Sequence, residues 1–398
     1  IFIKMEVKQI YSLVNTVSGE VLGTTDLVHE DLTGLVDLGN EVFNQNAVDN
    51  YVKSLVNHIG KVVFVNRPYS GKVPSVLMDA WEFGSVLEKI SADVPDAEEN
   101  DTWNLQDGKE YKQDVFHKPT VSAKFFNSKV TFEVPVSITE RQVKESFSSA
   151  EQMNGFLSMI YSAVDKSMTI KTDALIMRTI CNMIAETLDA DKAAFGFVPS
   201  THETVDYTSA STVRCVNLLK LYNDKTGAHL TAETAITTPD FIRFAAYIMG
   251  LYSDRLQTIS TLFNVGGKER FTPKDILHTV LLSDFAAAAT TYLYADTYHN
   301  DNVLLPQAET VASWQASGKD YAFEHTSKID VKSASGATVS IGGVLGVMFD
   351  RDALGVTNLD KRVTTNYNAK AEFFNNYFKF DAGYFNDTNE NFVVFFVA

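Results

Sequence analysis

The longest regular pattern in the chain covers residues 148–188. Its apolar residues fall at Met153, Phe156, Leu157, Ile160, Ala163 and Val164, then at Ala174, Leu175, Met177, Ile180, Met183, Ile184 and Leu188, mostly three or four apart. That spacing predicts an amphipathic helix, and Ser148 followed by Glu151 predicts a capping box at its start. No glycine or proline interrupts the stretch from Phe156 to Leu188, although the pattern weakens between Asp165 and Asp173. If the helix persists through that middle, about 40 residues at 1.5 Å each give roughly 60 Å. A break near Thr169 gives two helices end to end or a helical hairpin instead.

The preceding region alternates with a period of two. Lys129-Val130-Thr131-Phe132-Glu133-Val134 is strictly polar then apolar, the signature of a strand with one buried face. Pro135-Val136-Ser137 is expected to end this strand, and Ser137 with Glu140 to cap a short helix over 138–147. Between Gly84 and Val136 a polar centre, Asp93 to Asp114, separates two strand-like runs. Two arms of about 15 residues would reach about 50 Å. A lone two-stranded hairpin is marginal in water, so arms that leave the body need another surface to cover them, and a neighbouring chain is the natural one. Residues 1–40 show no strong period and are expected to form an arm. Val42, Val48, Val52, Leu55 and Val56 predict a helix over 41–58, and residues 61–66 a short strand.

Beyond the polar stretch from Asp189 to Thr212, helical patterns at 216–225 and 239–261 lead to a buried strand at Ile276–Leu282 and a capped, Ala-rich helix at 283–298. From residue 341 the texture is β again, with aromatic-rich runs at 371–385 and 391–398. Alternating helices and strands predict an α+β architecture. No repeat with a period of 20–50 residues is visible.

Composition narrows the function classes. The 398 residues are 45% hydrophobic and 21% charged, the profile of a folded chain. The net charge of −16 opposes the phosphate contacts that hold nucleic acids or anionic membranes. No apolar run is long enough to span a bilayer. The chain opens Ile1-Phe2-Ile3-Lys4-Met5, which fits both a processed terminus and initiation at Met5. Cys181 and Cys215 are the only cysteines, too few for a disulfide framework or thiolate metal site, and both are expected to be buried small hydrophobes.

Catalytic signatures are missing too. His29, His58, His117, His202, His229, His278, His299 and His325 are scattered without metal-ligand spacing. The run Gly342-Gly343-Val344-Leu345-Gly346 matches no nucleotide fingerprint and is expected to be a tight turn. Asp296 to Asp301 is expected to be a polar helix-end loop. Asn386-Asp387-Thr388-Asn389-Glu390-Asn391 looks like half a calcium loop without its glycine and bidentate glutamate, and is expected to be a hairpin turn. Glu98 and Glu99 are expected on a solvated face. No catalytic, cofactor or metal-binding residue is nominated. An α+β hydrolase has only abundant Ser, His and Asp in its favour, and a tail or adhesin protein predicts repeats.

The order of parts is informative: arm, extended hairpin, long capped helix, α+β unit, returning strands. With the stretches "LVNHIGKVVFV", "KVTFEVPVSITERQVKESF", "GVMFDRDALG" and "FFNNYFKFDAGYFND", it resembles the major capsid proteins of tailed bacteriophages, the Hong Kong 97 fold, in particular those of short-tailed phages of the phi-29 type. The resemblance implies an N-terminal arm and helix (1–60), the start of a peripheral domain (61–83), an extended loop over an adjacent subunit (84–128), a peripheral domain with a spine helix (129–210), an axial domain (211–346) and returning strands (347–398), Lys370 to Asp387 lying beside the spine. It implies a non-enzymatic structural protein of the virion, assembled in the host cytoplasm. Copies would form pentamers and hexamers of an icosahedral or prolate shell around double-stranded DNA, with no sequence-specific DNA contact and no membrane. Scaffolding, portal and decoration proteins are the implied partners. Some members of the fold crosslink through lysine and asparagine. Lys109, Lys112 and Lys118 lie in the hairpin, but no partner asparagine or glutamate matches, so no crosslink is expected. An encapsulin shell enclosing cargo enzymes is the alternative on the same fold.

Overall fold

The computed structural model describes residues 7–23, 50, 73–78, 87–111 except 96 and 98, 116–139, 150–196, 205–294, 308–314 and 328–398. The arm expected over residues 1–40 contains a 16-residue helix, α1 (Val7–Leu22). Val7, Ile10, Val14, Val17 and Val21 recur three or four apart, a stripe that the expectation of an aperiodic arm overlooked. Val14 and Val17 are fully buried, and the buried Ser18 hydroxyl donates to the Val14 carbonyl at 2.8 Å. The helix expected at 41–58 and the strand at 61–66 fall outside the described residues, residue 50 excepted.

Next come β1 (Leu77–Met78), β2 (Leu87–Ala92), β3 (Val121–Phe126) and β4 (Lys129–Thr139). Contrary to expectation, β4 runs straight through Pro135, which pairs with Tyr377. β4 is the edge strand of its sheet, where a residue without an N–H is tolerated. Ser137 is no helix cap here. Its hydroxyl donates to Asn375 Oδ1 across the ladder at 2.7 Å, and Ile138 and Thr139 are still strand; residues 140–147 of the expected short helix lie outside the described residues.

The long helix α2 (Ala150–Ala190) is 41 residues without a break, about 60 Å. The weak middle holds because Val164, Met168 and Thr172 keep a buried face, while the Thr169 and Thr172 hydroxyls bond the carbonyls of Asp165 and Met168 at 3.0 and 2.9 Å, a use of hydroxyls that leaves the helical ladder intact. From Leu175 to Leu188 the helix is enclosed almost all round. It packs on β4 and on β11 (Leu354–Asn368), β12 (Phe373–Asn386) and β13 (Phe392–Phe396), and on the small ladder of β8 (Ile329–Lys332) and β9 (Thr338–Ile341).

Two sheets carry the body. One has the order β1-β11-β12-β4, mostly antiparallel. The other has the order β5-β13-β10-β6-β7, with β5 (Cys215–Asn217), β6 (Leu277–Leu282), β7 (Ala308–Val311) and β10 (Val344–Asp350). Every residue of β10 and β13 is buried, the mark of a sheet covered on both faces. Phe392, Val394 and Phe396 join the core under α2, while Val393, Phe395 and Val397 join a second core with α3 (Leu218–Thr226), α4 (Pro239–Arg255) and α5 (Ser283–Tyr294). Hence the uninterrupted apolar run at the C-terminal end. Asn217 caps α3, its side chain accepting from the Lys220 amide. Gly343, at φ 71°, turns the chain from β9 into β10.

Candidate assembly interface

β2 and β3 form a separate two-stranded ladder with Lys89 opposite Lys124 and Ile90 opposite Ala123. Strand alternation then sorts the residues into two faces. One presents Leu87, Lys89, Ser91, Ser122, Lys124 and Phe126, all half-buried; the other presents Glu88, Ile90, Ala92, Val121, Ala123 and Phe125, all exposed. Polarity and burial are inverted relative to an ordinary half-buried strand. Ile90 is 68% and Phe125 62% exposed, and the connection between the strands adds Val94, Leu105, Phe116 and Trp103, the last 98% exposed. The paired ladder is six residues long, about 20 Å rather than 50. Pro95 and Pro119 lie just past its end, where neither can supply a ladder donor.

The polar face is held by the subunit's own body. Two lysines directly opposite one another repel, and a single carboxylate resolves the conflict. Asp387 accepts from Lys89 Nζ through Oδ2 at 2.8 Å and from Lys124 Nζ through Oδ1 at 2.9 Å. Lys89 also reaches the Asp352 carbonyl at 2.8 Å and Glu390 at 3.3 Å, and Arg270 meets the other Glu390 oxygen at 3.3 Å. Burial pushes the Asp387 carboxyl up, but the hydrogen bonds from Lys89 and Lys124 outweigh it and hold the group below the usual carboxylate value. At Glu390 burial prevails over Lys89 and Arg270, and the value rises. At the base of the hairpin the Phe126 and Phe385 rings lie 5.2 Å apart. Further along, Lys268 bonds both oxygens of Asp93 at 3.0 and 3.1 Å. A polar cavity of about 300 Å³ remains between ladder and body.

This docking explains the 386–391 motif. It is a crossover and not the expected hairpin turn, because β12 and β13 belong to different sheets. Its carboxylates are matched by ammonium and guanidinium groups, so lysines and an arginine stand where a bound cation would.

The remaining candidates do not converge. His278 packs its ring 5.8 Å from that of Phe349, and burial lowers its pKa. His117 and His229 lie elsewhere, and the other five histidines, Glu98, Lys112 and the 296–301 loop fall outside the described residues. Glu99, Lys109 and Lys118 are exposed. Cys181 and Cys215 are buried free thiols, burial pushing the first up to about 12 and the second well above its ordinary value. Among the described residues no group of three or more His, Cys, Asp or Glu could hold a metal ion, and no helix is long and apolar enough to cross a membrane. Sequence reasoning missed Lys89, Lys124 and their two acidic partners as a unit, although it singled out the motif that carries the acids.

Residues 12–396 match the family model described as Phi29-like phage major capsid protein. No curated protein sequence matches the chain. Among solved structures, the capsid of Staphylococcus phage Andhra is 9% identical at a TM-score of 0.45, with 84% of this chain and 86% of that chain covered. The capsid of cyanophage P-SCSP1u is 10% identical at 0.44, covering 84% and 90%. The mature capsid of bacteriophage PhiM1 is 9% identical at 0.40, covering 84% and 89%.

Proposed function

The chain belongs to the Phi29-like phage major capsid protein family, and from that membership we propose that it closes its shell by laying the β2–β3 hairpin over an adjacent copy. It is a structural component of the virion that assembles with itself. The encapsulin alternative has no support from the family match. The observation that carries the proposal is the inverted hairpin, whose apolar face is turned away from its own subunit. Exposed apolar surface on that scale marks an interaction site, and in a lattice of identical subunits the cover is a neighbour. Folding and assembly are then linked by mass action.

Around this contact the remaining parts take their places. Residues 84–128 act as the extended loop, α2 as the spine helix of the peripheral domain (129–210) and residues 211–346 as the axial domain meeting its copies around five-fold and quasi-six-fold axes. A helix of about 60 Å is a strut along one edge of a flat tile. Pentamers and hexamers of such tiles enclose double-stranded DNA, and the net charge of −16 suits a wall that contains a polyanion without gripping it. Assembly in the host cytoplasm with scaffolding, portal and decoration proteins completes the reading. No catalytic activity and no covalent crosslink between subunits are assigned.

Electron microscopy of the purified, overexpressed protein tests this, with and without a scaffolding protein from the same phage. Closed shells or curved sheets are expected. A protein that stays monomeric at high concentration under both conditions overturns it.

A further inference from the structure

We infer that Lys89 and Lys124, with Asp387 and Glu390, are positioning residues that fix the direction of the hairpin within the unassembled subunit, so that its apolar face is presented preformed. The inference rests on the reading of β2–β3 as the inter-subunit hairpin. It goes further in assigning the hairpin's orientation to its own body and not to the neighbour it covers.

The attachment has three successive levels along the ladder. At the base, Phe126 packs on Phe385, and the Ser128 carbonyl accepts from the Tyr384 amide at 3.1 Å. Two residues along, Lys89 and Lys124 share Asp387, and Lys89 also engages Glu390. Four residues beyond Lys89, Asp93 meets Lys268. Together these span about 20 Å of strand. A single anchor would leave the ladder free to pivot, whereas anchors at three levels define a direction. Between the base and Asp93 the polar face has nothing apolar to bury, since Ser91 and Ser122 complete it with a mutual hydroxyl contact at 3.1 Å. The ion pairs are therefore what hold this span.

Their chemistry suits the task. The Asp387 side chain is only 3% exposed while the two lysines reach it from the ladder, so the carboxylate is a fixed point that the lysine ends must find. Directional charged contacts specify one geometry, where an apolar contact of similar size tolerates sliding. They also leave the hairpin's hydrophobic residues unspent on the opposite face. A loop already ordered in its bound direction loses less entropy when the neighbour arrives.

Hydrogen exchange read by mass spectrometry on the unassembled full-length subunit tests this, comparing the natural protein with Lys89→Gln/Lys124→Gln and Lys89→Arg/Lys124→Arg. In the Gln variant amide exchange in β2 and β3 is expected to rise at least about tenfold, because a buried carboxylate loses both of its ammonium partners. Exchange in β10 and β13 stays unchanged, and the Arg variant recovers most of the protection. The subunit concentration at which shells form rises in parallel. Hairpin exchange that is equal in the Gln variant and the natural protein overturns the assignment. A separate variant, Ile90→Ser/Phe125→Ser, keeps the two ideas apart. If it assembles normally while the exchange pattern above holds, the interface reading fails and the positioning role stands.

Discussion

Replacing Ile90 and Phe125 together by serine is expected to stop assembly while sparing the fold. Full burial of an Ile or Phe side chain is worth about 1.5–3 kcal/mol. Ile90 and Phe125 keep 68% and 62% of their surface exposed in the subunit, so roughly two-thirds of that value, about 1–2 kcal/mol each, remains for a neighbour to realise. The pair then contributes about 2–4 kcal/mol per subunit contact, or a factor of roughly 30 to 1,000 in each association step. The isolated subunit loses almost nothing, because exposed positions away from special features tolerate substitution within about 0.5 kcal/mol. Light scattering against subunit concentration measures the first quantity, and urea unfolding of the unassembled subunit measures the second. If the double variant assembles at the natural concentration, the apolar face stays in solvent in the shell and the reasoning is refuted. If its unfolding midpoint falls as well, the face was contributing to the monomer and the inversion described above is wrong.

Two further outcomes follow from the core. Burial raises both thiols, Cys181 to about 12, which leaves about one thiolate in ten thousand at pH 8. A thiol reagent at that pH should therefore label neither cysteine in the folded subunit and both in urea, and stoichiometric labelling of folded protein would contradict their burial. Gly343→Ala should cost about 2–3 kcal/mol, from left-handed strain and a lost hydrogen bond, since a Cβ there meets the Val397 carbonyl oxygen at 2.3 Å and the Val397 amide donates to Gly343 at 2.9 Å. Gly336→Ala has a similar positive φ but open space, so it should cost only the backbone part, and equal unfolding losses would remove the steric argument.

Much of the architecture was legible because local pattern and tertiary need agree. The spacing over 148–188 marks a helix found at Ala150–Ala190, and the aromatic runs near the C-terminal end become β12 and β13. The misreadings arise where a long-range partner overrules a local signal. Ser137 and Glu140 have the spacing of a capping box, but the Ser137 hydroxyl is claimed by Asn375, 238 residues away. Pro135 would stop an interior strand; at an edge it does not, and edge position is a property of the sheet and not of the segment. The first helix escaped because its stripe of valines and one isoleucine is blurred by Tyr11, Leu13 and Leu22 off the stripe, and β-branched residues of modest helix propensity need packing to hold the form.

The hairpin shows a deeper limit. Alternation in Leu87–Ala92 and Val121–Phe126 places Ile90, Ala92, Val121, Ala123 and Phe125 on one face, and the usual rule turns such a face towards the core. Period two states that one face is buried without stating by which molecule. Only the opposite face reveals the inversion. Lys89 and Lys124 stand directly across from one another there, an arrangement that a two-stranded ladder in water does not favour. Reading it requires the strand register, which a long irregular connection conceals, and the carboxylate that reconciles the two lysines lies 298 and 263 residues further on. Like charges paired across from one another on the face opposite an apolar stripe therefore mark a strand pair held by ions on one side with its apolar side left exposed, once the pairing is known.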